Sequence, residues 1–201
     1  MRNFFILIVF GISILNCAKE KTKIAGETKF QKAINAEYKD ASTSPLKAKD
    51  LKRFKGLDFF ELDSTYVTTA TLKRMPNSEW FSMKTTTNRV SQERIFGILT
   101  FQLKGKTYQL NVYQGKDTMQ NDGFEDYLFL PFLDHTNGET SYGGGRYIDL
   151  RIPNNDTIVI DFNTAYNPYC AYNAKYSCPI VPNENYLDLE IKAGVKVFKK
   201  H

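Results

Sequence analysis

Between residues 93 and 114 the chain alternates apolar and polar side chains with a period of two, broken once at Lys104-Gly105. That period belongs to a half-buried β-strand, whose successive side chains point to opposite faces. Ile95, Gly97, Leu99, Phe101 and Leu103 fall on one face of the first arm, and Tyr108, Leu110 and Val112 on one face of the second. The spacing predicts a hairpin of residues 93–103 and 106–114 that turns at a glycine. Similar patterning predicts further strands at 66–74, 79–85, 127–132, 146–152, 157–162 and 186–191. No long helical segments separate these runs, which argues against a doubly wound parallel sheet. The expected fold is mainly β (α+β), an antiparallel sheet or barrel-like domain.

Helical spacing is confined to the start of the domain. Phe30, Ala33, Ile34 and Tyr38 recur on one face of a helix expected over 28–41, and Ser44-Pro45 ends it. A second, short helix is expected over 47–54, with Leu46, Leu51 and Phe54 inward and Gly56 as a stop. Together they form an N-terminal clasp over the sheet.

Ahead of the clasp stands a targeting segment. Arg2 is followed by an uncharged, mostly apolar run over 4–15 that ends at Asn16-Cys17, with Lys19, Glu20, Lys21 and Lys23 just beyond. The run is too short to span a bilayer, which takes ~20 apolar residues, and it fits a secretory signal. An apolar run closing on a cysteine resembles a bacterial lipoprotein signal, in which Cys17 carries the lipid (palmitate among its chains) and begins the mature chain. The expected organisation is a signal peptide at 1–17, a tether at 18–27 and one globular domain over 28–201. The protein is then expected in the cell envelope, lipid-anchored to a membrane and facing an extracytoplasmic space.

The net charge of +5 comes from scattered lysines and arginines. Nucleic-acid binding needs a clustered basic face with interleaved aromatics, so no nucleic-acid partner is expected.

The chemistry-bearing residues crowd into 134–182. Cys170 and Cys178, with seven residues between them, are expected to form a disulfide in an oxidising compartment. Closing so short a loop adds about 2–3 kcal/mol on the chain-entropy estimate. The alternatives are free thiols or a metal site using both thiolates with His135 and either Asp134 or His201. No metal or cofactor is expected. A thiol nucleophile would need His135 as its base.

Gly143, Gly144 and Gly145 could let the backbone approach an anion, and Arg146 could clamp a carboxylate or phosphate. The structural alternative is a turn feeding a strand, with Arg146 paired to Asp161 or Asp149. Asp134, Glu139, Asp149 and Asp161 are candidate acids or cation ligands. Asp161 with Asn163 is also the pattern that ties down a loop through side-chain-to-backbone bonds. Tyr166, Tyr169, Tyr172 and Tyr176 could stack against a planar ligand, with Asn167 beside them.

The sequence also resembles a known bacterial family. The residues that carry it are 96–101, 127–132, 144–147, the run Asp161-Phe162-Asn163-Thr164-Ala165-Tyr166-Asn167-Pro168, Cys178-Pro179 and Ala193-Gly194. In this order they resemble family number 1684 among the domains of unknown function, whose members include lipoproteins of Bacteroidetes-like bacteria. The resemblance implies no activity. One position departs from it: Val195 stands where an acidic residue is expected.

The leading expectation is an envelope module that binds a small ligand or an anion, with a small anionic ligand as its candidate partner. Its site would be formed by Gly143, Gly144, Gly145, Arg146, Asp161, Asn163, Tyr166 and Asn167. The alternatives are an envelope hydrolase using carboxylates or a thiol, and a structural part of an envelope assembly.

Overall fold

The structure is a computed structural model that describes residues 27–198. The signal segment, Cys17 and His201 lie outside the described residues.

The first described element is helix α1 (Lys29–Lys39). Thr28 caps it: its hydroxyl accepts the Gln31 N–H at 3.1 Å, and the Gln31 side chain accepts the Thr28 N–H at 3.1 Å. This reciprocal pair satisfies two of the donors that a helix start leaves free. The second expected helix shrinks to a single turn, α2 (Ala48–Leu51).

Among the described residues eight strands follow: β1 (Val67–Arg74), β2 (Phe81–Lys84), β3 (Val90–Leu103), β4 (Lys106–Gly115), β5 (Tyr127–Asp134), β6 (Arg146–Arg151), β7 (Thr157–Asp161) and β8 (Tyr186–Leu187). They form a curled, half-barrel sheet in the order β6-β5-β4-β3-β1-β7, with β2 added beside β3. Every pairing is antiparallel except the short β5/β8 contact. The fold class read from the periodicity is the observed one.

The expected hairpin is β3/β4, paired from Glu93↔Gly115 to Leu103↔Lys106. Lys104 and Gly105 both take positive φ, 49° and 79°. Such two-residue turns match the right-handed twist of the strands they join. One detail of the expected faces is corrected. The register shifts between Ile95 and Gly97, so Phe96 is an inserted bulge residue. A one-residue insertion reverses the facing of everything beyond it. Leu99, Phe101 and Leu103 therefore sit in the main core, while Ile95 packs on the opposite face with Met83, Tyr113, Phe129 and Tyr147.

The main core fills the hollow of the half-barrel with Leu72, Leu99, Phe101, Leu110, Leu128, Leu130, Phe132, Ile148 and Ile160. Each fully buried aliphatic or aromatic chain contributes about 1.5–3 kcal/mol. The strand expected at 186–191 is only partly regular. Leu187 and Ile191 are nonetheless fully buried, and Leu189 packs against them. A third cluster joins Ile34 and Tyr38 of α1 to Leu46, Leu57, Tyr172 and Val195. Val195, the departure from the family pattern, is 1% exposed, where an unpaired carboxylate would be costly.

Candidate functional site

Strand β6 divides the suspected residues between two faces. Alternation sends Arg146 and Ile148 into the core and Tyr147 and Asp149 to the opposite side. Arg146 is fully enclosed. It donates to Asp134 Oδ2 at 2.7 Å, to the Ile191 carbonyl at 2.8 Å and to the Ala193 carbonyl. Burial lowers its pKa, and the charge of Asp134 opposes that shift. The expected anion clamp is therefore corrected: the guanidinium is spent inside the fold. Its partner is Asp134, neither Asp161 nor Asp149.

The neighbouring candidates are structural too. Gly145 has φ +88°, and a Cβ there would stand 2.7 Å from the Phe132 carbonyl oxygen. Only glycine fits this turn into β6. Gly143 and Gly144 are exposed beside it. Asp161 accepts the Asn163 N–H at 2.9 Å. Asn163 in turn accepts the Asp63 N–H and donates to the Asp63 carbonyl, both at 3.0 Å. These two residues stitch the loop after β7 to the chain before β1. Glu139 lies in the turn after β5, and its N–H donates to the Thr136 carbonyl.

The other face holds a cleft of about 490 Å³ between α1, β6 and the cysteine loop. Helix α1 supplies Phe30, Ala33, Ile34, Glu37 and Tyr38 at helical spacing. Strand β6 supplies Tyr147 and Asp149, and the loop supplies Tyr166, Pro168, Tyr169 and the stretch Ser177-Cys178-Pro179. Tyr166 is held against β6 by two backbone bonds with Tyr147, 2.9 and 3.0 Å. Asp149 Oδ1 accepts from Tyr127 at 2.8 Å and Tyr166 at 2.5 Å. On the facing wall Tyr169 donates to Glu37. Burial raises the Tyr166 and Tyr127 pKa values, with the nearby Asp149 adding to the rise, so both hydroxyls remain neutral donors.

Of the expected site residues the cleft unites Tyr166 with Asp149 and Cys178, and excludes Arg146, Asp161 and Asn163. Asn167 is fully buried and donates to the Lys196 carbonyl at 2.8 Å. Tyr172 is buried in the cluster under α1, and Tyr176 stacks edge-on with Tyr169 at 5.2 Å. Glu37, Phe30, Tyr127 and Tyr147 were missed by the sequence reading. Glu37 carries a faint signal, since it stands four residues after Ala33 on the apolar face of the helix.

The expected disulfide is also corrected. Cys170 and Cys178 are free thiols, and the Cys170 N–H donates to the Cys178 sulfur at 3.2 Å. Hydrogen bonding to the Cys178 thiol pulls Cys170 down to about 6 despite its partial burial, helped by Tyr142 and Thr86; the same bond and burial push Cys178 up. His135 stands elsewhere, 3.0 Å from Asp188 and with its ring tilted against that of Tyr186 at 5.8 Å. Among the described residues no three His, Cys, Asp or Glu side chains converge as metal ligands.

A depressed thiol is a thiolate above its folded pKa and loses that reactivity as pH falls through it. Alkylation of Cys170 by iodoacetamide, mapped by mass spectrometry, is expected to titrate near 6 rather than near the ordinary 9.0, with Cys178 inert. A pair that takes up reagent only after reduction would refute this.

Comparison with known proteins adds kinship without an activity. A family model described as "Protein of unknown function (DUF1684)" matches residues 52–196. That span contains the sheet and the cysteine loop but not α1. The solution NMR structure of an uncharacterized protein from Haloarcula marismortui is similar at 30% identity with a TM-score of 0.67, over 85% of this chain and 92% of that one. No curated protein matches.

Proposed function

The chain belongs to the DUF1684 family, and on that footing we propose that it is a lipid-anchored envelope protein that binds a small ligand in the cleft between α1 and β6. The observation that carries the reading is the cleft itself. It is concave, walled mainly by aromatic and aliphatic side chains, and furnished with a few convergent polar groups: Asp149, Glu37 and the hydroxyls of Tyr166 and Tyr169. Binding sites for small molecules have this make-up. The anchor reading rests on the apolar run ending at Cys17. Among the described residues no helix is long and apolar enough to cross a membrane.

Hydrolysis by a thiol has less support. The base that the sequence offered for such a thiol, His135, is engaged with Asp188 instead.

Two measurements test the proposal. Labelled palmitate is expected on the wild-type chain in a bacterial host and absent from Cys17→Ser; equal labelling removes the anchor. In a fragment screen read by NMR from labelled tyrosine rings, hits are expected to shift Tyr166, Tyr147 and Tyr169 together. Hits that spare those three rings, or no hits, remove the cleft.

A further inference from the structure

We propose that the ligand of this cleft is an organic cation, an ammonium group carried on an apolar body. The inference rests on the cleft being the binding site and names what it recognises.

The walls hold five aromatic rings, Phe30, Tyr38, Tyr147, Tyr166 and Tyr169, and two carboxylates, Glu37 and Asp149. Among the described residues no lysine, arginine or histidine lines them, in a chain with 27 Lys and Arg residues. Elsewhere the fold repeatedly sets its own cations over rings, as with Arg94 on Trp80, Lys104 on Tyr66 and Arg151 on Phe124. Among the described residues none of the five lining rings receives one.

The carboxylates are equally unclaimed. Neither Glu37 nor Asp149 makes an ion pair among the described residues, whereas Asp134, Asp156, Asp126 and Asp188 all do. Tyrosine hydroxyls hold one oxygen of each, Asp149 Oδ1 by Tyr127 and Tyr166 and Glu37 Oε1 by Tyr169. Among the described residues their second oxygens take no tyrosine hydrogen bond.

Ring faces attract a positive charge through their quadrupole. Fixed carboxylates add charge-assisted hydrogen bonds to an ammonium N–H. An anion would face two negative charges with no compensating cation among the described residues, so the small anionic ligand expected from the sequence is the disfavoured one.

Three probes of matched shape separate the outcomes: phenethylamine, phenethyl alcohol and phenylacetate, titrated into the full chain and followed by NMR of the tyrosine rings. The amine is expected to bind about tenfold or more tighter than the alcohol, and phenylacetate least. In Asp149→Asn/Glu37→Gln, whose amide oxygens still accept from the tyrosines, the amine is expected to lose its advantage while the alcohol binds as before. Should that double variant fail to fold, Glu37→Gln alone, on the helix surface, is expected to remove part of the preference. If the alcohol or phenylacetate binds the cleft as well as the amine, the cation proposal falls and the cleft remains a binding site. If none of the three shifts Tyr166, Tyr147 or Tyr169, the cation proposal falls together with its premise.

Discussion

Asp134→Ala lowers the unfolding free energy by about 3–5 kcal/mol, because it strands a buried guanidinium. Arg146 and Asp134 are both fully enclosed as side chains, 2.7 Å apart at the adjoining ends of β6 and β5. Asp134 also accepts the N–H groups of Thr136 and Ile191 at 2.8 and 3.2 Å. Arg146 holds the carbonyls of Ile191 and Ala193. The pair thus ties two strands to the segment that closes the core, and neither member has water to fall back on.

Arg146→Met is expected to cost nearly as much, since it leaves the carboxylate alone. The double replacement Asp134→Leu/Arg146→Met should recover most of the loss, because removing both charges removes the desolvation cost with them. Urea denaturation of the wild type, Asp134→Leu, Arg146→Met and the double variant gives the coupling energy directly. Additive losses in the double variant would show that the two residues act independently, and the network described here would be wrong.

Gly194→Ala is the second large effect, expected at about 2–5 kcal/mol from the left-handed backbone and the overpacking combined. Gly194 has φ +78°, and a Cβ there would meet the Ala165 carbonyl oxygen at 2.4 Å and the Phe162 carbonyl oxygen at 2.9 Å. Both contacts are backbone, so no side-chain rotation relieves them. The Val195 N–H to Ala165 carbonyl bond, 2.8 Å, joins the C-terminal segment to the loop that carries Tyr166. The substitution should therefore loosen the cleft as well as the core. Thermal unfolding read beside the ring signals of Tyr166 would register both. An unchanged melting temperature would mean that the loop after β7 yields without cost.

Period and chemistry together brought much of the fold within reach of the sequence. Leu99, Phe101 and Leu103 facing Leu110 and Val112 specify a hairpin, and Lys104-Gly105 specifies its turn. Thr28 and Gln31 could have been read as a capping box, and Ile34 with Tyr38 marks the buried side of α1. The site was legible only in part. Tyr166, Asp149 and Cys178 were among the suspects, but so were Arg146, Asp161 and Asn163, which prove structural. An arginine after three glycines looks the same whether its strand begins facing out or in. The cysteine pair likewise invites a disulfide, and the thiols are instead held by a backbone N–H, Tyr142 and Thr86.

The amino-acid sequence by itself determined the period of each element, the class of the sheet and the stretch of chain in which the site would be found. Tertiary structure decided the phase and the company. Alternation says that Arg146 and Asp149 lie on opposite faces, but the curl of the sheet decides which face closes into a core and which stays open. The cleft pairs Glu37 with Asp149, residues more than a hundred positions apart, and only packing α1 against Tyr169 and Tyr172 of the cysteine loop sets two carboxylates among five rings. Local chemistry sets what each segment can be. Long-range burial chooses among those options, because the free energy of closing a core is shared by all the segments that line it.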